Sequence, residues 1–164
     1  MGSIEDFNAL PDEEAENRLY DCLANRIWAM HVASGRPYAD AQSFQSIASL
    51  NLNDLTDEDW LAAFRAHPRI GERGGDAPET SALEQARVMQ APDATLTILA
   101  AENRRYEARF GHVFLIAARG RNADEVLAEL RRRMNNDPAM ELTEARRELA
   151  RIAHDRLEKL VRPR

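Results

Sequence analysis

Cysteine is nearly absent from this chain, and long hydrophobic runs are absent altogether. Cys22 is the only cysteine among 164 residues, so no intrachain disulfide can form. A lone cysteine on an apolar helical face fits a reducing compartment. No apolar stretch approaches the roughly 20 residues that cross a bilayer, and the charged and apolar regions of a signal peptide are missing. We therefore expect a cytoplasmic protein that does not enter the membrane.

A strongly basic surface is also missing. The formal net charge is −6 and the arginines are scattered among acidic residues, so neither nucleic acid nor an anionic membrane is expected as the main partner. A small anionic substrate is compatible with this charge, because one local arginine can bind it. With 44% hydrophobic and 30% charged residues, the chain is typical of a globular protein. Its length predicts a single domain over residues 1–164.

Motifs for metals and phosphates are absent as well. The four histidines show no metal-ligand spacing with one another, and no Cys-x-x-Cys pair occurs, so the sequence does not predict a zinc site. Gly74 and Gly75 lack the lysine and the hydroxyl residue of a P-loop. No Gly-x-Ser-x-Gly nucleophile elbow occurs. The chemistry must therefore come from a different set of side chains.

The spacing of apolar and helix-capping residues predicts helices joined by short loops. One long helix is expected over residues 11–34, with Ile27 and Met30 on its buried stripe. A short apolar run at residues 113–116 fits either a strand or a buried extended segment. Without a convincing pair of strands, the sequence predicts an all-α, single-domain helical bundle with no substantial sheet. The other helices are predicted to begin near Asp40, Thr56, Ser81, Pro92, Asn122 and Asp137.

His67 is the first candidate for chemistry. It lies at the predicted end of an amphipathic helix, directly before Pro68 and a glycine-rich loop. Its ordinary pKa near 6.5 suits proton transfer at neutral pH. A histidine that interacts with the last carbonyls of a helix is the structural alternative.

Glu84 and Gln85 follow on the next predicted helix. Ser81-x-x-Glu84 has the spacing of a capping box, in which the glutamate accepts from the N-cap backbone amide. A carboxylate at a helix N-terminus is also held rigid and interacts favourably with the helix dipole, so the two roles of Glu84 are compatible. Gln85 adds a neutral hydrogen-bonding group beside it.

Arg156 stands out on the last helix. It lies between Ile152 and Leu160 on the expected apolar stripe. A guanidinium on an inward face must find an anion or reach water. A salt bridge or exposure at the edge of the stripe is one explanation. Binding of a substrate carboxylate or carbonyl by its planar fork is the other.

Together these residues resemble the 2-oxo-4-hydroxy-4-carboxy-5-ureidoimidazoline (OHCU) decarboxylase family. The matching pieces occur in the family's order over nearly the whole chain. The chain departs from the commoner family pattern at His112-Val113 and at Arg87-Val88. The matching residues are Trp28, Arg36-Pro37-Tyr38, His67-Pro68-Arg69-Ile70-Gly71, Ser81-x-x-Glu84-Gln85, Tyr106, Phe110-Gly111-x-x-Phe114, Ala118-Arg119 and Arg156-Leu157.

The resemblance implies an all-helical homodimer that converts the ureidoimidazoline substrate OHCU to (S)-allantoin and CO2 in urate breakdown, without a metal or organic cofactor. His67 matches the catalytic acid/base, assisted by Glu84. The residues matched to substrate contacts are Pro68, Ser81, Gln85, Phe114, Leu115, Ile116, Ala117, Ala118 and Arg156.

Two other functions remain open from the sequence. A non-catalytic helical interaction module would need an exposed apolar groove. A related ureide hydrolase or isomerase would use the pair His67 and Glu84 on a different leaving group.

Overall fold

A computed structural model of the chain describes residues 3–71 and 83–162, and helices dominate both ranges. Neither range contains a β-strand, which confirms the predicted all-α class. Short 3₁₀ turns lie at Leu52–Asp54 and Val88–Gln90. The α-helices in these ranges are α1 (Ile4–Asn8), α2 (Asp12–Cys22), α3 (Arg26–Ser34), α4 (Ala41–Asn51), α5 (Asp57–Arg65), α6 (Asp93–Phe110), α7 (Ala123–Arg133) and α8 (Pro138–Leu160).

The chain divides into two compact units. The first unit comprises Met1–Ala63 and Ala150–Arg164, and the second comprises Phe64–Leu149. Helices α1 to α4 belong to the first unit, whereas α6 and α7 belong to the second. Helix α8 contributes residues to both. The single domain predicted over residues 1–164 stays a prediction.

The single helix expected over residues 11–34 is wrong, because the chain breaks between α2 and α3. Asn25 begins α3 as its N-cap, where its side chain accepts a hydrogen bond from Trp28 N at 2.8 Å. This new start changes which residues face inward. Trp28 is buried, while Ile27 is 60% and Met30 44% exposed. The prediction extended one apolar periodicity across the break. It therefore placed Ile27 and Met30 in the core, although both are exposed.

Three other capping predictions are confirmed. Asp40 caps α4 by accepting from Ser43 N, and Asn122 caps α7 through a complete capping box. Thr56 and Asp59 exchange reciprocal hydrogen bonds at the start of α5. That helix ends at Arg65, slightly earlier than the predicted end at residues 67–68.

Helix α8 begins at Pro138 as predicted, but its buried stripe differs from the expected one. Towards its end the stripe continues through Ala153, Leu157 and Val161. Arg156, expected on the inward face, is instead half-buried beside the stripe. Within the two described ranges, no helix is both long and apolar enough to cross a membrane.

Candidate active site

Two segments predicted to form the site, together with the stretch that follows the predicted Glu84-Gln85 pair, share one hydrophobic core in the second unit. They are the histidine loop (residues 67–71), the stretch after Glu84, and residues 114–118, which we call the 114–118 segment. The rest of this core comes mainly from α6 and α7. Motifs that are far apart in the sequence therefore converge on one cluster. The core residues from the three segments are Ile70, Val88, Phe114, Ile116 and Ala118.

His67 follows the last turn of α5 and is half-buried. Its backbone N–H donates to the carbonyl of Phe64 at 3.0 Å. Its ring Nδ1 lies 2.9 Å from the carbonyl oxygen of Pro68. Because a carbonyl oxygen only accepts, this contact requires a proton on Nδ1. In the neutral ring Nε2 then carries the lone pair, so the local backbone selects the tautomer in which Nε2 is the base.

Side chains of α6 hold the middle of the histidine loop. Arg69 pairs with Glu107 through two hydrogen bonds, Nε to Oε1 at 2.6 Å and Nη2 to Oε2 at 3.2 Å. The buried amide of Asn103 donates from Nδ2 to the carbonyl of Ile70 at 2.9 Å. The backbone that carries His67 is therefore fixed to a regular helix, and this rigidity suits an acid/base group.

The histidine loop contacts the Glu84-Gln85 motif through Gly71. The N–H of Gly71 donates to Oε1 of the buried Gln85 at 2.8 Å. Gly71 has a φ of +83°, and a Cβ there would lie 2.7 Å from Leu99 Cδ2, so both conformation and space demand glycine. The side-chain oxygen of Gln85 thus supports the histidine loop. Its predicted substrate contact stays a prediction.

Glu84 lies in a helical turn and is half-buried. Ser81, its predicted capping-box partner and a predicted substrate contact, lies outside the described residues. The glycine-rich loop predicted around Gly74 and Gly75 lies outside them too. The catalytic assistance assigned to Glu84 stays a prediction. Glu84 directly precedes Gln85, whose side chain supports the histidine loop.

The 114–118 segment is neither helix nor strand, so the strand alternative for residues 113–116 is wrong. Its side chains still alternate in the manner of an extended chain. Those of Phe114, Ile116 and Ala118 join the core of the second unit, whereas Leu115 and Ala117 do not.

The backbone of this segment is held by α7 and α8. Arg133 Nη1 donates to the carbonyl of Leu115 at 2.7 Å. The N–H of Ala117 donates to Glu148 Oε1 at 3.3 Å. An irregular segment has no neighbouring strand to hydrogen-bond its backbone groups. The side chains of Arg133 and Glu148 provide these two hydrogen bonds instead.

Arg133 itself is part of a buried ion pair. It is 1% exposed and its partner Glu141 is 0% exposed. Three contacts of 2.6 to 3.1 Å join the guanidinium to both carboxylate oxygens. Tyr106 OH and Asn136 Nδ2 also donate to Glu141. Burial, together with the hydrogen bond to Glu141 and its charge, raises the pKa of Tyr106 far above its usual value, so this hydroxyl stays a donor.

Asn103, Arg133, Glu141 and Glu148 were missed in reading the sequence. A signal for two of them was present. Arg133 follows Val126 and Leu130 at helical spacing, and Glu141 precedes Ala145 and Leu149 in the same way. Of the charged residues in line with an apolar stripe, only Arg156 is among the predicted site residues.

His112, one of the departures from the family pattern, packs among aromatic rings. Its ring centroid lies 5.2 Å from Phe64, 5.6 Å from Tyr106 and 6.3 Å from Phe110. Its Nδ1 lies 3.0 Å from the carbonyl of Val113.

In residues 3–71 and 83–162, no group of three histidine, cysteine or carboxylate side chains is arranged to hold a metal ion.

Arg156 belongs to the first unit. Its Nη1 donates to the carbonyl of Asp21 at 3.1 Å. The guanidinium therefore has a local structural contact, and its predicted role in binding substrate stays a prediction.

Comparisons with known proteins address the family directly. A family model described as OHCU decarboxylase matches residues 8–158. The chain is 30% identical over 154 residues to the uric acid degradation bifunctional protein TTL of Arabidopsis thaliana. That match covers 90% of this chain but 48% of the plant protein, so the chain spans about half of its length.

Two other similar proteins are named 2-oxo-4-hydroxy-4-carboxy-5-ureidoimidazoline decarboxylase. The one from Haloferax volcanii is 27% identical over 161 residues, with 94% of each chain covered. The one from Amia calva is 30% identical over 141 residues, covering 81% of this chain and 79% of the relative.

Solved structures agree. A crystal structure of OHCU decarboxylase in the presence of (S)-allantoin matches with a TM-score of 0.75 at 30% identity, over 92% of this chain and 98% of that one. An (S)-allantoin synthase structure matches with a TM-score of 0.74 at 19% identity, which supports the fold alone. The family predicted from the ordered motifs is confirmed, and the chain belongs to the OHCU decarboxylase family.

Proposed function

We propose that this protein converts OHCU to (S)-allantoin and CO2, with His67 as the acid/base and Glu84 assisting it. Decarboxylation of OHCU in urate degradation is the activity that the family and the names of the relatives support. The observation that carries the site assignment is the shared core in the second unit. It gathers the histidine loop, the stretch after Glu84 and the 114–118 segment.

The substrate supplies its own electron sink. One ring carbon bears a hydroxyl and a carboxylate, and the adjacent ring carbon, which bears the ureido group, forms a C=N bond. When the bond to the carboxylate breaks, CO2 leaves and its electron pair forms a C=C bond between the two ring carbons. The electrons of the C=N bond move to its nitrogen, which takes up a proton. The hydroxyl then loses its proton to become a carbonyl, and a proton added to the ureido-bearing carbon completes allantoin. One proton is consumed overall.

His67 is suited to the proton movements. The Nδ1 contact with Pro68 leaves Nε2 as the basic nitrogen of the neutral ring. We assign Nε2 to take the hydroxyl proton and to fix the reacting geometry, with the carboxylate held out of the ring plane. The anchors of the histidine loop on α6 support this, because positioning contributes much of the rate in such a reaction.

The 114–118 segment is suited to bind the polar edge of the substrate. Backbone groups of an extended chain point to opposite sides at successive residues. Leu115 O and Ala117 N are directed to α7 and α8, so the N–H and C=O of Ile116 point the other way. We assign the backbone of Ile116 to the ring and ureido groups of the substrate.

The test is a circular-dichroism time course on freshly generated OHCU. The wild-type protein should speed substrate loss and accumulate an (S)-allantoin signal. His67→Asn should keep the helical spectrum but lower kcat about 100-fold or more, as expected for loss of a general acid/base.

His112→Asn is the matched control. His112 makes the same type of Nδ1 contact with the next carbonyl, and its loss should leave kcat nearly unchanged. Preserved stereospecific turnover in His67→Asn would refute the role of His67. Unaccelerated decay to an optically inactive product, by folded wild-type protein, would refute the activity.

Assembly as a homodimer and a cytoplasmic location also remain proposals. The first unit exposes large apolar side chains at Ile27 and Leu50, 60% and 63% exposed, and a subunit contact on that unit would bury such side chains. Light scattering coupled to size exclusion tests the dimer: the 18.6 kDa chain should elute with twice that mass.

A further inference from the structure

We infer that Arg133 is a positioning residue for the reaction, fixing the 114–118 segment through the carbonyl of Leu115 so that the backbone of Ile116 faces the substrate. This inference rests on the role proposed above for that segment. It concerns a residue outside the motifs that carry the family resemblance.

The guanidinium of Arg133 contacts two successive residues of the segment in different ways. Its edge donates to the carbonyl of Leu115 at 2.7 Å. Its face lies over the ring of Phe114, with Cζ 4.5 Å from the centroid. An in-plane hydrogen bond and a stacked ring together restrict both the position and the rotation of the chain. The backbone direction at Ile116 follows from that restriction.

The guanidinium is in turn immobilised. Glu141 binds it through both carboxylate oxygens. Tyr106 from α6 and Asn136 from the connection before α8 hold the same carboxylate. The bidentate contact with Glu141 therefore fixes the guanidinium where it meets the segment, and Tyr106 and Asn136 add further hydrogen bonds to the same carboxylate.

Stability alone does not account for this arrangement. A buried ion pair is often no more stabilising than a pair of apolar side chains of the same volume. What an apolar pair cannot do is donate to the carbonyl of Leu115. The neighbouring Arg132 shows the contrast, because it pairs with Glu129 and Glu144 on the exposed side.

The experiment compares three variants for kcat and KM on OHCU and for amide hydrogen exchange in the 114–118 segment. Arg133→Lys keeps a cation for Glu141, but an ammonium lacks the planar fork whose separate nitrogens contact the carboxylate and Leu115 O. Tyr106→Phe removes a different bond to Glu141 and leaves the bond from Arg133 to Leu115. Arg132→Lys is the exposed control one residue away.

We expect Arg133→Lys to lower kcat/KM roughly 10- to 100-fold at a temperature where it is fully folded. Exchange in the 114–118 segment should accelerate in this variant alone. Tyr106→Phe and Arg132→Lys should stay within about 3-fold of wild-type turnover. A merely structural role would instead make the loss follow the unfolded fraction in every variant.

The inference is overturned if folded Arg133→Lys keeps wild-type kcat/KM, or if Tyr106→Phe loses as much turnover at equal stability. Should Arg133→Lys fail to fold, the double variant Arg133→Gln/Glu141→Gln removes both charges together and still frees Leu115 O. The same reduced turnover is expected from it. Failure of both variants to fold assigns Arg133 a structural role and overturns the inference as well.

Failure of the proposed function has a different signature. In that case the wild-type protein does not accelerate loss of OHCU, or His67→Asn remains active. The exchange measurement needs no substrate, so it still decides whether Arg133 fixes the segment.

Discussion

The two units of this protein differ in what they bury. Among the described residues, the buried side chains of the first unit are hydrophobic, with Trp28, Phe7 and Phe44 the largest aromatic ones. In the part of the chain that the structure describes, every buried polar or charged side chain lies in the second unit: Gln85, Asn103, Arg133, Glu141 and Glu148. Each has a hydrogen bond to irregular backbone or to a side chain that makes one. In this protein, buried polar side chains occur where backbone N–H and C=O groups lie outside the helices and have no helical hydrogen-bond partner.

A pair of arginines sharpens this contrast. In the first unit, Arg36 donates to the carbonyls of Phe7 at 3.0 Å and Leu10 at 2.7 Å. Its carboxylate partner Asp12 has a side chain that is 95% exposed. An arginine can therefore hold carbonyls in the last turn of α1 and beyond it without a buried anion. Among the described residues, an ion pair with both partners fully buried occurs only in the second unit, at the segment that we assign to the substrate.

The largest effect is expected from Glu141→Gln. The change leaves the buried guanidinium of Arg133 without its carboxylate, which typically costs about 3–5 kcal/mol. Urea unfolding followed by circular dichroism measures this loss. A value within about 1 kcal/mol of wild type would contradict the view that the buried pair is fully desolvated.

Leu19→Ala in the first unit is the counterpart of that experiment. Truncation of this fully buried leucine should cost about 2–5 kcal/mol through the cavity it leaves. Under conditions where the variant is folded, kcat/KM should be unchanged. If Leu19→Ala lowered turnover as strongly as Glu141→Gln at matched stability, the distinction between the units would fail.

An intermediate effect is expected from the glycine that ends the histidine loop and from the glycine that lies before the 114–118 segment. Gly71 and Gly111 have similar positive φ values, +83° and +79°. A Cβ at Gly71 would clash with Leu99, whereas at Gly111 it would meet nothing within 4 Å. Alanine at Gly111 should cost about 1 kcal/mol from backbone strain alone, and alanine at Gly71 about 2–3 kcal/mol.

Turnover separates these glycines further. Gly71→Ala displaces the N–H that donates to Gln85, so kcat/KM should fall along with the free energy of unfolding. Gly111→Ala should leave kcat/KM near the wild-type value. Equal effects of the two substitutions on both quantities would show that the close approach to Leu99 has no bearing on the histidine loop.

Local signals made much of this fold predictable. Asp40, Asn122 and the pair of Thr56 with Asp59 begin helices where predicted, because capping depends on a few neighbouring residues. The start of α3 at Asn25 was missed. Apolar residues on both sides of the break gave one continuous periodicity, and only the Asn25 cap distinguished two helices from one.

The site was predictable to the level of its segments and no further. The order of the motifs identified the histidine loop, Glu84 with Gln85, and the 114–118 segment. The bonds that hold these segments join residues far apart in the sequence, such as Asn103 to Ile70 and Arg133 to Leu115. No local pattern encodes such pairings, because they depend on how α6 and α7 pack in three dimensions.

The smallest effect concerns the exposed ion pairs of the second unit. Arg132 Nη2 lies 2.9 Å from Glu129 and 2.8 Å from Glu144, and its hydrogen bonds lower the pKa of both carboxyl groups. The stability that these ion pairs contribute is fully present above the pKa of glutamate in the unfolded chain, about 4.3. It is lost as the pH falls through the lower pKa of the folded state.

Arg132→Met tests how much these exposed ion pairs contribute to the free energy of unfolding. Because the Arg132 side chain is half exposed and solvent screens the pairs, the variant should lose only a few tenths of a kcal/mol at pH 7. The difference from wild type should shrink as the carboxylates protonate below about pH 4. Urea unfolding at pH 7, 5 and 3 measures it. A loss as large as that of Glu141→Gln, or one that grows in acid, would mean that exposed and buried arginine pairs in this unit contribute alike.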